Sequence, residues 1–426
     1  MLGERIDSVR PVIEEFASEM FAGFACRDQR MKGQLYLRGL LTDGKRKSMQ
    51  PMAARLGIDH QQLQQFVTTS TWDHTEVRAR LTGWAARFVD PDALVIDDTG
   101  FPKDGIASPG VARMYCGALG KRGNCQIGVS VHAVTDWASA AVNWRLYLPS
   151  SWDDRTATDP AEAAHAATRR SRCAIPDEAR FREKWRLALD MLDEVLTWGM
   201  PARPVTADAV YGDSTAFRAG LTDRGLNYVL AVSASTSVHP AAAVPVPPTY
   251  SGFGRPRTRV GYPDKPVTVK AMVTAAGRSA GRFVTWRRGS RKTPGNPGAV
   301  MRSRFIALRV RPANRNITRG PDGSLPECWL LAEWPTGAPE PTDYWLSTLP
   351  ASVPLRSLVR LAKIRWRIEH DYRGTGSRPK GGWVWAEPVN ISGFSRSHGA
   401  LGASVAVDRS AGCVLRTGLM RMKGRR

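Results

Sequence analysis

Up to about residue 85, apolar positions recur at helical spacing; beyond it they alternate as in strands. In VRPVIEEFASEMFAGF the series is Val12 (or Ile13), Phe16, Met20 and Phe24, which predicts a helix. GQLYLRGLL extends the helical set. Met52 to Leu56 predicts a short helix, Gly57 its C-terminal stop, Asp59 a cap and His60 to Val67 a second helix. The pair has the outline of a helix–turn–helix.

From about residue 90 the pattern changes. DALVIDDTG, CQIGVSVHAVT and AVNWRLYLP predict three strands. FREKWRLALDMLDEVLTWGM predicts a helix with Trp185, Leu189, Leu192 and Leu196 on one face and Gly199 at its end. A strand and turn (RPVTADAVYGD), a helix (STAFRAGLTDRGL) and a strand (NYVLAVS) follow. This alternation predicts an α/β fold, a mixed sheet with helical cover. A stretch rich in Pro, Gly and Arg then carries strand-like pieces, KPVTVKAMV, RFVTWRRG and RFIALRV. CWLLAEW returns to a core strand, and SLVRLAKIRWRIEHDYR predicts a strong helix. After Arg373 periodicity stops: the remaining residues hold nine Lys or Arg against two acids, with many Gly and Ser.

Charge sharpens the picture. Sixty-one Lys and Arg against thirty-nine Asp and Glu leave +22 on 426 residues, which points to a polyanionic partner, nucleic acid before all others. No 18-residue apolar run is present, so no membrane partner is expected. MLGERIDSVRP lacks the pattern of a signal peptide. The six cysteines, at 26, 116, 125, 173, 328 and 413, form no C-x-x-C pair and stand near no paired histidines. Buried, reduced thiols are expected, and a metal would have to be held by carboxylates.

Three carboxylate positions carry the candidate chemistry. LVIDDTGFPKDG runs an apolar strand into Asp97 and Asp98, which a strand directs to opposite faces. VTADAVYGD repeats the design with Asp208. Glu369 lies on the late helix, four residues after Arg365 and on its face. Taken singly, Asp208 reads as a turn former or cap and Glu369 as a salt-bridge partner of Arg365. Taken together they make a hard-oxygen site suited to Mg²⁺. Two such ions can clamp an in-line phosphoryl transfer. Lys103 can contact phosphate or be solvated; His132 reads as structural. GALGKRGNCQ, with Lys121 and Arg122 among glycines, lacks the order of a nucleotide-binding P-loop.

VIDDTGFPKDG, YCGALGKRGNCQIGVSVHAV, RLYLPSSWDD, VTADAVYGD and IRWRIEHDYR occur in an order that resembles the DDE insertion-sequence transposases, over about residues 10 to 373. The resemblance implies an RNase H-like catalytic domain whose acids are Asp98, Asp208 and Glu369, with Asp97, Arg365 and Lys103 in support. It implies two Mg²⁺ ions, for which Mn²⁺ can substitute, and cut-and-paste transfer at the element's ends. The partners implied are double-stranded DNA, as terminal inverted repeats and target, and a second copy of the chain. The setting implied is the bacterial cytoplasm, on the nucleoid. Phosphate contacts are expected from Lys45, Arg46, Lys47, Lys121, Arg122 and Arg365.

The expected organisation is a helical DNA-binding region at 1–88, a catalytic core at 89–235 and 323–373 interrupted by a β-rich insertion at 236–322, and a basic irregular tail at 374–426. The family's last helix often carries a Tyr, Arg, Glu and Lys signature. Arg365 and Glu369 match it, but Ala362 stands at the Tyr position and Gly376 at the Lys position. The lost Lys coincides with the change of composition. The tail therefore reads as translation in a shifted frame, ahead of a divergent basic tail, and implies impaired cleavage. The rival readings are a non-catalytic DNA-binding remnant and another RNase H-like nuclease such as a junction resolvase.

Overall fold

The computed structural model describes residues 2–41, 47–247, 260–289, 293, 296–314 and 316–368, with side chains from residue 11 onward. The chain divides into two compact units, residues 1–91, 97–201 and 367–426 in one and 92–96 and 202–366 in the other.

The first unit begins with five helices, α1 (Leu2–Phe21), α2 (Arg27–Leu41), α3 (Met49–Leu56), α4 (His60–Thr68) and α5 (His74–Phe88). Phe16, Met20 and Phe24 are buried as their spacing predicts, and Ile13 rather than the exposed Val12 joins their cluster. The α3–α4 turn follows the sequence closely. Gly57 adopts a left-handed φ of 68°, which a Cβ would strain, and the Asp59 side chain accepts the Gln61 amide. Phe66 stacks on Trp72 at 5.3 Å, closing the helical core.

The strand β1 (Ala93–Pro102) is shared between the units. In the first unit its later residues run beside β3 (Lys121–Val134), which pairs antiparallel with β2 (Ala112–Cys116) and then with β4 (Ser139–Tyr147). Two further helices lie among the unit's described residues, α6 (Pro160–Arg172) and α7 (Lys184–Thr197). The buried face of α7 is Ala188, Leu189, Met191, Leu192 and Val195. Trp185 and Leu196, expected on that face, are only half-buried, because the buried stripe is centred on Ala188, Met191 and Val195.

In the second unit β1 pairs in parallel with β5 (Val205–Ala207), through Leu94 to Val205 and Val95 to Thr206. After α8 (Ala209–Gly212) and α9 (Thr215–Asp223), β6 (Tyr228–Val232) adds in parallel to β5. The chain continues through β7 (Ser237–Pro240), β8 (Val267–Thr268), α10 (Val269–Ala276), β9 (Arg282–Arg288), β10 (Val300–Pro312), β11 (Cys328–Glu333), β12 (Asp343–Ser347) and α11 (Leu355–Lys363). From β1 the order is β1-β5-β6-β12-β11-β10-β7-β8, with β9 also on β10.

This is the mixed α/β, RNase H-like arrangement expected: an antiparallel meander in the first unit and, in the second, parallel β1, β5 and β6 followed by antiparallel strands. KPVTVKAMV departs from expectation. Only Val267 and Thr268 are strand, and the residues from Val269 are α10, because the Thr268 hydroxyl accepts the Ala271 amide and starts a helix. SLVRLAKIRWRIEHDYR also departs: α11 stops at Lys363, Ile364 and Arg365 form a turn, and helix resumes at Trp366. Of the cysteines expected to be buried, Cys26 is exposed and Cys173 half-buried. Cys413, Glu369 and the tail lie outside the described residues. No helix among the described residues is long and apolar enough to cross a membrane.

Candidate active site

Ala93 to Ile96 of β1 have no measurable exposure, and burial gives way to partial exposure from Asp97 onward. Burying side chains such as Leu94 and Ile96 stabilises the strand by about 1.5–3 kcal/mol each, enough to fix where its polar end emerges. The two acids at that end are held differently. The Asp97 carboxylate accepts the Asp98 amide at 3.0 Å, and its carbonyl accepts the Ser130 hydroxyl at 3.1 Å. Ser130 also contacts His132 Nε2 at 2.9 Å. Burial pushes the His132 imidazole down to about 3, so it is neutral at physiological pH. Buried and neutral, His132 lies against Ser130 beneath the Asp97 carbonyl, a setting consistent with the structural reading.

The Asp98 carboxylate meets Lys184, the first residue of α7, at 2.5 Å. The two side chains are 22% and 23% exposed, so the pair borders solvent. The Lys184 ammonium lies 5.4 Å from the centre of the Tyr147 ring. Burial, and then the negative charges of Asp98 and Glu183, push the Tyr147 hydroxyl above its usual range. Sequence reasoning missed Lys184. Its signal was a cation in FREKW at the start of a helix, where the backbone dipole disfavours one.

Asp208 directly follows β5 and caps α8. Its Oδ1 accepts the Val210 amide at 3.0 Å and the Tyr211 amide at 3.4 Å. Gly212 closes this turn against β6: a Cβ there would stand 1.8 Å from the Ala231 carbonyl. Asp213 then accepts the Ser233 amide and the Thr236 hydroxyl. The cap function read for Asp208 is therefore real, and it fixes the carboxylate through one oxygen.

SSWDD serves as an anchor. Asp153 is buried and accepts the Phe181 and Arg155 amides at 2.9 and 3.1 Å and Arg180 at 3.2 Å. Burial alone would raise this carboxyl, but these bonds outweigh it and hold it below the usual range. The anchor fixes the segment that leads into Lys184.

The other expected residues are distributed along the chain. Lys103 follows β1, and its amide donates to the Asn124 carbonyl at 2.9 Å. Lys121 and Arg122 are exposed at the start of β3. Arg365 is half-buried in the turn after α11. That helix is anchored by Lys363 to Glu333 and Arg360 to Asp92, and the Arg287 guanidinium stacks 3.1 Å from the Trp366 ring centre. Lys47 is half-buried; Lys45 and Arg46, like Glu369, lie outside the described residues.

Asp98 and Asp208 are partly exposed carboxylates, and hard oxygens of this kind suit a divalent cation. Among the described residues no three His, Cys, Asp or Glu stand together as a metal cluster. The third expected acid is outside that set.

A probable transposase for insertion sequence element IS701 from Microchaete diplosiphon is 29% identical to this chain over 198 residues, which is 46% of this chain and 46% of that protein. The chain thus aligns with about half the length of that relative. The family model of the DDE superfamily endonucleases matches residues 19–293, a span that contains both Asp98 and Asp208. The chain belongs to the DDE superfamily endonucleases.

Proposed function

We propose that the protein is an insertion-sequence transposase that cuts and joins DNA at the element's ends by cut-and-paste phosphoryl transfer. One observation carries this reading: in the parallel pair β1 and β5, Asp98 stands two residues beyond the buried Ile96 and Asp208 directly follows the buried Ala207, both inside the span matched by the endonuclease family. Asp98, Asp208 and Glu369 would hold two divalent ions, which when bound activate the attacking oxygen and stabilise the leaving one.

The chain's own residues do the rest. The α8 amides hold Asp208 before substrate arrives, so little reorganisation is needed at that acid, and the Ser130 bond to the Asp97 carbonyl steadies the β1 backbone beside Asp98. The α3–α4 pair supplies sequence readout, and the net charge of +22 supplies salt-dependent attraction to phosphates. Lys45, Arg46, Lys47, Lys121, Arg122 and Arg365 are the proposed phosphate contacts, with Lys103 near the strand end. Cleavage leaves a 3′-hydroxyl, which attacks the opposite strand or the target without a covalent protein–DNA intermediate. The organisation proposed is 1–88 for DNA binding, 89–235 and 323–373 for catalysis, 236–322 as insertion and 374–426 as a basic tail. Two copies would bridge two ends, in the cytoplasm and on the nucleoid, with Mg²⁺ as the resident ion.

Ala362, Gly376 and the tail's composition favour a second reading, a chain that binds DNA and cuts it poorly. Reading the gene in all three frames beyond the Arg373 codon separates the two. A frame that continues the helix with a Lys near position 376 supports damage; no such frame supports a native tail. Nicking of a plasmid carrying the gene's flanks, with and without Mg²⁺, then tests activity: full Mg²⁺-dependent cleavage by the chain as it stands removes the impairment.

A further inference from the structure

Lys184 stands where helix electrostatics disfavour it. It is the first residue of α7, beside the positive end of the dipole, and the first turn holds no acid. The carboxylate of Glu183, just before it, pairs with Arg186 at 2.9 Å. The ion partner of Lys184 is Asp98, at 2.5 Å, and the pair opens to solvent. A lysine is a compact charge on a flexible stem and can change partner without moving backbone. The Tyr147 ring beside it is within cation–π range and keeps the ammonium near the strand end when it leaves the carboxylate.

A carboxylate that binds a divalent ion gains a second cation next to the ammonium, and the two repel. A DNA phosphate arriving at the same strand end offers the ammonium another strong acceptor. We propose that Lys184 is an exchangeable counter-ion: it holds Asp98 in the metal-free protein and moves to a DNA phosphate when a divalent cation takes that carboxylate. The proposal rests on the reading of Asp98 as a metal ligand. Its consequence is that metal binding and DNA binding are coupled through one side chain.

The test uses the full chain and the variants Lys184→Met, Lys184→Arg and Asp98→Asn. Without DNA, Mn²⁺ binding is measured by calorimetry. Lys184→Met is expected to bind Mn²⁺ about three- to tenfold more tightly than the wild type, and Lys184→Arg about as the wild type does. Binding to a duplex of the gene's flanking sequence is then followed against salt, with and without Ca²⁺ as a non-cleaving ion. Lys184→Met should flatten the slope of log K on log salt by about 0.9 with Ca²⁺ and leave it unchanged without. Equal Mn²⁺ affinity in Lys184→Met and wild type overturns the exchange, as does a slope change that ignores Ca²⁺. Wild-type Mn²⁺ binding by Asp98→Asn removes the metal reading of Asp98, and the exchange with it.

Discussion

Asp98 and Asp208 follow the same kind of sequence, a short apolar strand ending on an acid, yet they are held by different means. Asp208 is tied by backbone amides of α8, which cannot leave while the helix stands. Asp98 is tied by the end of a lysine side chain, which can. On the exchange proposed above, the first acid is adjustable and the second is fixed. An acid that doubles as a helix cap does its structural work in every state of the protein, whereas one paired with a mobile cation can change partner.

The largest expected effect is on cleavage. Asp98→Asn and Asp208→Asn should each lower Mg²⁺-dependent nicking on the order of 10³-fold or more, since each removes several kcal/mol of transition-state stabilisation. Asparagine still caps α8, so Asp208→Asn should keep its melting temperature, which a thermal scan reads directly. Next comes the support of the β1 end. His132 is neutral in the fold, with its imidazole pushed down to about 3, but takes a proton near 6.5 when unfolded. The unfolded state then binds more protons, so stability falls as pH drops below about 6.5, by about 2 kcal/mol at pH 5. Denaturant titrations of His132→Gln should show a flatter dependence over that window. Asp208→Ala should cost about 1 kcal/mol by loss of the cap. The smallest effect separates the two acids most cleanly: Asp98→Ala breaks a partly exposed ion pair with Lys184 and should change stability by less than about 1 kcal/mol. An Asp98→Ala loss larger than that of Asp208→Ala would break the comparison.

Much of this was legible in the sequence because the signals were local. The α3–α4 turn was announced by Gly57 and Asp59, and the two acid-bearing strands by apolar runs that end on charge. What was not legible depended on residues far apart in sequence. Lys184 meets Asp98 only because α7 lies over β3 and β4, which no spacing in FREKW encodes. On α7 the spacing finds Leu189 and Leu192 on the buried face, while Ala188, Met191 and Val195 take the places expected of Trp185 and Leu196. KPVTVKAMV was read as strand from its β-branched residues, but the Thr268 cap decided for helix. Asp208 shows the opposite case: the structural role and the proposed chemical one fall on the same side chain.

The most direct measurement is nicking of a supercoiled plasmid carrying the gene's flanking DNA, by the wild type and Asp98→Asn side by side, in Mg²⁺ and in chelator. The wild type is expected to nick in Mg²⁺ only, and Asp98→Asn to bind the same DNA without nicking it. Nicking by Asp98→Asn at the wild-type rate, or nicking that persists in chelator, would contradict it.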